Sequence, residues 1–354
     1  MELPGISVVI ISHNEELNIA DCLESVTTLD YPDVSLEIIV VDSSTDRTRE
    51  IVTSFPRVKL IPSPSKGFSE KRNLGYLAAT YELVAFIDAD CVAPADWLRR
   101  MVPHLMSPEV AAVGGNAYPP PTAPFLGKCI ACLGKPAGGA IGLDSEVVFL
   151  NQGINYLATC CSLFKKRVLH EVGGFDEGLI YGNEDVSLSE KILNAHYVLE
   201  YAEDAFVYHK TRNGVWQFAT WAFRRGQSSF HAAEPGCAKI LLEPFSLAWI
   251  VIGATTLIFI RNQYALYCIV VFFVLCLAFL IRTMTVEDDR IFPTGSNKLK
   301  KLYQRRQKID VSVMTILLVI LPLYYLDRLI INIAMVYCKI ISFRGEKNPE
   351  TQKV

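Results

Sequence analysis

No Gly-x-Gly-x-x-Gly follows the first apolar run of this chain, and no Walker A pattern occurs in it. A dinucleotide-binding Rossmann fingerprint and a P-loop are therefore both excluded. Excess positive charge is also missing: 34 Lys and Arg stand against 37 Asp and Glu, a formal net charge of −3. Nucleic acid as a partner has no global electrostatic support. The ten cysteines lack the spacing of a small disulfide scaffold. Cys268, Cys276 and Cys338 sit in apolar surroundings, where cysteine acts as a small hydrophobe. The 27 residues between the Cys129/Cys132 and Cys160/Cys161 pairs, and the adjacency of the second pair, fit zinc spacing poorly. A reduced, cytosol-facing catalytic domain is the simpler expectation. No basic n-region precedes the first strand, so no signal peptide is expected.

Apolar residues are abundant, at 51% of the chain, and they are unevenly spread. Up to about residue 240 the pattern is that of a mixed globular domain; beyond it, long apolar runs dominate. Ile6–Ile11, Leu36–Val41, Val58–Ile61 and the stretch Leu83–Cys91, an apolar run ending in Asp88 and Asp90, read as strands rich in β-branched or apolar residues. Between them lie helical patterns, with Ile19, Leu23 and Val26 on one face of the first and 67–79 forming another. Strands alternating with helices imply βαβ units and a mostly parallel sheet.

Polar residues cluster after strands one, two and four. In such a sheet these exits share an edge, so Asn14, Asp42 and Asp88/Asp90 converge on one crevice, where open α/β folds bind ligands. Asp88-Ala-Asp90 offers two hard oxygen ligands suited to Mg²⁺ or Mn²⁺, ions that commonly bridge to phosphates. The alternative is that the two acids start a turn and cap a helix beginning near Pro94. Gly114-Gly115, Pro119-Pro120-Pro121 and Gly138-Gly139 read as turns and a flexible loop over the crevice. A strand at 158–164 and a short helix at 166–172, ended by Gly173-Gly174, follow. Glu184 and Asp185 then precede a helix over 186–195. They are either dipole-favoured caps or a catalytic base, and two adjacent acids exceed what a cap needs. His209 follows a strand at 205–208; alone it would be a structural histidine, and it gains weight only beside a metal site. Residues 216–230 read as an amphipathic helix with its Trp, Phe and Ala side on apolar surface and Arg224 and Arg225 free for phosphate. A membrane-surface helix is the alternative.

Leu241–Ile260, interrupted only by Glu243, and Tyr264–Ile281, a run of 18, are each long enough to span a bilayer. With a short turn between them, 241–281 reads as a transmembrane hairpin. The loop 282–310 holds eight Lys or Arg, six of them within Lys298–Lys308. The positive-inside rule places it, and therefore the N-terminal domain (1–235), in the cytoplasm of a multi-pass protein of the cell membrane. Residues 311–343 hold one or two further helices, interrupted by Asp327-Arg328, before a basic tail at 344–354.

These motifs in this order resemble those of the membrane-anchored family 2 glycosyltransferases of the GT-A fold. The resemblance covers about Ile6 to Ser229. It rests on Ser12-His13-Asn14-Glu15, Asp42-Ser-Ser-Thr-Asp46, Lys71-Arg72-Asn73, Asp88-Ala-Asp90, Gly173-Gly-Phe-Asp-Glu177, Glu184-Asp185 and His209. It implies an α/β GT-A catalytic domain, Rossmann-like with a mostly parallel sheet, followed by C-terminal transmembrane helices. It also implies an inverting, metal-dependent transfer from a nucleotide-sugar donor to a hydroxyl of a lipid-linked or membrane acceptor. By similarity Ser12, Asn14, Glu15 and Asp42 hold the donor's nucleoside, and Asp88 contacts the nucleotide. Asp90 and His209 hold the divalent metal, Mn²⁺ or Mg²⁺. Arg72, with Arg224 or Arg225, binds the diphosphate, and Asp185 beside Glu184 is the base. Ser43-Ser44 depart from the Asp-Asp-Gly of many relatives. Cys160-Cys161 stand where glycine and a polar residue are common. The Gln-x-x-Arg-Trp pattern of processive synthases is missing, which favours transfer of a single sugar. Synthesis of a polyprenyl-phosphate monosaccharide, or a membrane scaffold with a lapsed transferase domain, remain the alternatives. A phosphate acceptor is already ionised and needs no base, so Glu184-Asp185 favours a hydroxyl acceptor.

Overall fold

A computed structural model describes residues 3–133, 149–150, 153–154, 156–179, 182–212 and 214–232, with ten positions between 319 and 338. The elements run β1 (Ile6–Ser12), α1 (Ile19–Thr27), β2 (Leu36–Asp42), α2 (Thr48–Thr53), β3 (Val58–Pro62), α3 (Phe68–Leu77), β4 (Leu83–Asp88), β5 (Cys91–Val92) and α4 (Trp97–Met101). They continue with β6 (Val110–Tyr118), α5 (Phe125–Cys132), β7 (Phe149–Leu150), β8 (Gly153–Ile154), β9 (Cys161–Lys165), α6 (Lys166–Glu171), α7 (Glu184–Asn194), β10 (Val198–His209) and α8 (Val215–Ala232).

Eight strands form one sheet in the order β3-β2-β1-β4-β9-β6-β10-β5, while β7 and β8 pair as a small ribbon. The sheet is mixed. β3, β2, β1 and β4 are mutually parallel, β6 and β10 are parallel to each other, and β9 and β5 run against their neighbours. All seven residues of β1 are buried, as expected of a strand covered on both faces. Alternation divides its side chains. Val8 and Ile10 pack with α1 residues Ile19, Leu23 and Val26 on one face; Val9 packs with Tyr76, Leu188 and Ile192 on the other. At Gly75 a Cβ would lie 2.3 Å from Val9 Cγ1, so glycine is what lets α3 lie directly on β1.

Register sets up the site. Ser12 pairs with Asp42 and Ile11 with Asp88, so the exits of β1, β2 and β4 stand level at one edge. Gly114-Gly115 form no turn, contrary to the sequence reading; they lie inside β6. A Cβ at Gly115 would come 2.6 Å from the Ala205 carbonyl and 2.7 Å from Cys161 Sγ, so here glycine admits a neighbouring strand. Gly173 and Gly174 do terminate α6, both at positive φ.

Leu323 packs against Cys129, Ile130 and Phe218 of α5 and α8, and Asp327 is buried. Among the described residues no helix is long and apolar enough to cross a membrane. The apolar hairpin at 241–281, the basic loop at 282–310, the tail at 344–354, Gly138-Gly139 and most of 311–343 lie outside the described residues.

Candidate active site

A crevice of about 800 Å³ opens at the sheet edge and is lined from four directions. The β1 exit contributes Ser12 and Glu15, the β4 exit Asp88 and Asp90, the start of α7 Glu184 and Asp185, and the β10–α8 region His209, Arg212 and Arg225.

Asp88 and Asp90 do not cap a helix, since α4 begins only at Trp97. They sit beside His209, whose Nε2 lies 3.6 Å from Asp90 Oδ1 and 3.9 Å from Asp88 Oδ2. A backbone clasp brings residues this distant in sequence together. Cys91 pairs with His209 across β5 and β10, and the Lys210 amide donates to the Asp90 carbonyl at 2.9 Å. His209 Nδ1 is 3.1 Å from the Lys210 carbonyl, which can only accept. The neutral ring therefore carries its proton on Nδ1 and turns the Nε2 lone pair toward the acids.

Ligand atoms of Asp90, Cys91 and His209 lie within 4.8 Å of one another. Burial, and then the Asp90 carboxylate, push the Cys91 thiol well above its ordinary value, so it stays protonated. The donors that fit a cation are thus two carboxylates and one imidazole, a set suited to Mn²⁺ or Mg²⁺. Glu15 adds to the negative charge. Burial, then the carboxylate of Asp90, raise it to about 7. The cysteine pairs 129/132 and 160/161 are buried and form no disulfide.

The expected nucleoside-binding set is divided. Asp42 is fully buried and accepts from Ser12 Oγ at 2.8 Å, Ser44 Oγ at 2.5 Å and Arg49 Nη2 at 3.1 Å. It braces the wall and does not line the crevice. Asn14, at positive φ, accepts from the Thr45 amide at 2.8 Å and is likewise tied to the β2 exit. Ser12 and Glu15 line the crevice. Asp46, one residue before the Arg47 N-cap of α2, accepts from the Thr48 amide at 3.0 Å in a local turn.

Lys71, Arg72 and Asn73 are successive residues in α3, and all three are buried. Lys71 Nζ donates to the Ser12 carbonyl at 2.9 Å and to Ser43 Oγ at 3.2 Å. Burial, then neighbouring Arg72, lower it to about 8. Asn73 donates to the Phe175 carbonyl at 3.0 Å and to Glu177 Oε1 at 2.9 Å, and accepts from the Phe175 amide at 2.9 Å. Arg72, expected at the diphosphate, lines the crevice and is held there by two carboxylates. Only 4% exposed, it donates to Glu184 Oε1 at 2.6 Å and to Asp88 Oδ1 at 3.0 Å.

Glu184 and Asp185 form the first turn of α7, entered through Gly182 and Asn183 at positive φ. Asp185 Oδ1 accepts from the Val186 amide at 2.8 Å. Burial, then the adjacent Glu184 carboxylate, raise Asp185 to about 7.

Arg212 was not anticipated from the sequence. Its guanidinium stacks 4.6 Å from the Trp221 ring centre and that of Arg225 lies 4.9 Å away, so one aromatic ring holds two cations at the crevice. Its position at the exit of β10, just past His209, was the available signal. Arg224 also lines the crevice. Phe218 and Ala222 of α8 are buried as expected, whereas Trp216 is 83% exposed and turned away from apolar surface.

A family model described as Glycosyl transferase family 2 matches residues 7–173. Glycosyltransferase AglE of Haloferax volcanii is 30% identical over 226 residues, 59% of this chain and 68% of that protein. Poly-beta-1,6-N-acetyl-D-glucosamine synthase of Staphylococcus epidermidis is 30% identical over 230 residues, 62% of this chain and 54% of that protein, so about half of its length is matched. Among solved structures, a mannosyltransferase from Pyrobaculum calidifontis in complex with GDP-Man and Mn²⁺ superposes with a TM-score of 0.53 at 20% identity. The match covers 88% of this chain and 90% of that one, a likeness of fold.

Proposed function

The chain belongs to the family 2 glycosyltransferases, with a GT-A-like catalytic domain, and we propose that it transfers a sugar, with inversion, from a nucleotide-sugar to a hydroxyl of a membrane-associated acceptor. One observation carries this reading. A carboxylate–imidazole cluster (Asp88, Asp90, His209) and an acid pair (Glu184, Asp185) line one crevice together with Arg212 and Arg225.

Asp90 and His209, with Asp88, are the residues that would hold a divalent cation. When bound, such an ion supplies charge stabilisation to a departing diphosphate. Arg225 and Arg212, fixed on Trp221, add cations for the same developing charge, with Arg224 at the rim. Ser12 and Glu15 shape the nucleoside end.

Asp185 takes the proton of the acceptor hydroxyl. The acceptor oxygen bonds to the anomeric carbon while the bond from that carbon to the phosphate oxygen breaks. Its electron pair leaves with the nucleoside diphosphate, and one such displacement inverts the centre. A base titrating at about 7 suits this work near neutrality.

In this reading 1–235 is the cytosolic catalytic domain. The runs at 241–281 anchor it as a membrane hairpin, and the basic loop 282–310 lies on the cytoplasmic face. Segment 311–343 and the tail 344–354 complete a multi-pass protein of the cell membrane. A lipid-linked glycan or glycolipid acceptor fits both the anchor and the retained base.

The test is a set of nucleotide-sugars assayed with and without Mn²⁺, by thermal shift and by transfer to a purified lipid-linked sugar. Metal-dependent stabilisation by one donor class, with transfer lost in Asp185→Asn, is the expected result. Full transfer by Asp185→Asn would remove the base assignment. Transfer to free polyprenyl phosphate alone would replace the acceptor.

A further inference from the structure

Arg72 touches both walls of the crevice. Nη2 lies 3.0 Å from Asp88 Oδ1 and Nη1 2.6 Å from Glu184 Oε1. The two partners are 16 residues after it and 112 residues after it. The rings of Phe68 and Phe175, each about 6 Å from the guanidinium carbon, flank the fork. Next along α3, Asn73 fixes Phe175 itself. The free oxygen of Asp88 faces His209, and the free oxygen of Glu184 is buried without a hydrogen-bond partner. A planar guanidinium serves such a two-ended role where a point charge cannot.

We propose that Arg72 is a positioning residue that couples cation binding at Asp88, Asp90 and His209 to the placement of the Glu184–Asp185 turn. The proposal rests on the metal-dependent reading above. Arg72 holds Asp88 Oδ1 while Oδ2 faces the cation cluster, so a dication and Arg72 draw on the charge of one carboxylate and each weakens the other's hold. Glu184 draws Arg72 the other way, so it favours the cation without touching it. By reciprocity, a bound cation releases Arg72 toward Glu184 and firms the first turn of α7, which carries Asp185. The base is thereby set in place when the donor's metal has arrived.

The coupling is measured by titrating Mn²⁺ into the full-length protein without substrates, read by calorimetry and by the spin resonance of free Mn²⁺. Glu184→Gln, which removes the competing partner, should weaken Mn²⁺ binding about 5- to 10-fold, a common size for coupling between sites. Arg72→Gln alone should tighten it. In an Arg72→Gln background, Glu184→Gln should then change affinity less than about two-fold, because the connection is gone. Arg72→Lys provides a second background that keeps the charge and loses the fork, and it should uncouple the sites likewise. Turnover of Arg72→Lys should fall in kcat with the donor KM unchanged. Equal loss of Mn²⁺ affinity from Glu184→Gln in all three backgrounds would overturn the coupling, since it would report simple long-range charge. A wild-type chain that binds no Mn²⁺ would overturn the cation reading itself, and the coupling with it.

Discussion

The two walls of the crevice are built differently. The donor wall, from β1, β2, β4 and α3, is stitched by neutral and ionic bonds between elements adjacent in the sheet. Asp42, Asn14 and Lys71 spend their polar atoms on neighbouring loops. The opposite wall, from α7, the end of β10 and α8, is assembled from distant segments. It carries Asp185, raised to about 7, and Arg212, whose Nη1 is buried without a partner. Local stitching and long-range assembly thus meet across one crevice, and each wall carries a carboxyl raised to about 7, Glu15 on the first and Asp185 on the second. Helix α3, through Arg72 and Asn73, is where the walls meet.

The largest effect that would test this contrast is at the cation cluster. Asp90→Ala should lower transfer by on the order of 10³-fold and abolish Mn²⁺-dependent nucleotide binding, seen by calorimetry. Asp88→Ala should weaken nucleotide binding even without Mn²⁺, and identical behaviour of the two variants would erase the division between them.

On the opposite wall, Asp185→Asn should cost about 10²- to 10⁴-fold in kcat while nucleotide affinity holds. The wild-type kcat should rise with pH as Asp185 loses its proton through about 7, and the variant should lack that limb. Stability should show the opposite sign. A carboxyl held above its unfolded value contributes stability at low pH that is lost as pH rises through about 7. Above pH 7 Asp185→Asn should therefore melt higher than wild type, by a few degrees, and near pH 4 it should not. A melting difference independent of pH would mean that Asp185 is not held neutral by its surroundings.

Asn73→Ala removes three bonds to the Phe175–Glu177 segment, two of them buried, and should destabilise the fold by about 2–3 kcal/mol, checked by thermal melting. Smallest of all, Trp216→Ala at an exposed site should change folding stability by less than about 0.5 kcal/mol.

The donor wall was the more legible in sequence. Runs such as Ile6–Ile11 and Leu36–Val41 announce buried parallel strands, and their exits must share an edge, so the pattern alone puts Asn14, Asp42 and Asp88/Asp90 there. What those residues do was less visible. Asp42 reads as a ligand until its partners are seen, because burial is decided by elements that a local pattern does not contain. Gly114-Gly115 read as a turn for the same reason: the close strand that demands them is β10, some 90 residues on. Arg72 and Glu184 face each other across 112 residues, and no periodicity connects them. His209 was found through its resemblance; Arg212, just beyond it, carried no pattern of its own.

The clasp between β5 and the end of β10 also has a temporal meaning. Cys91 waits for His209, and Asp90 for the amide of Lys210, so the cation cluster is among the last parts of this domain that can close. A nascent chain can pair β1, β2, β3 and β4 as they emerge, yet Asp90 and His209 cannot be clasped until Lys210 has left the ribosome, and Arg212 and Arg225 follow later still.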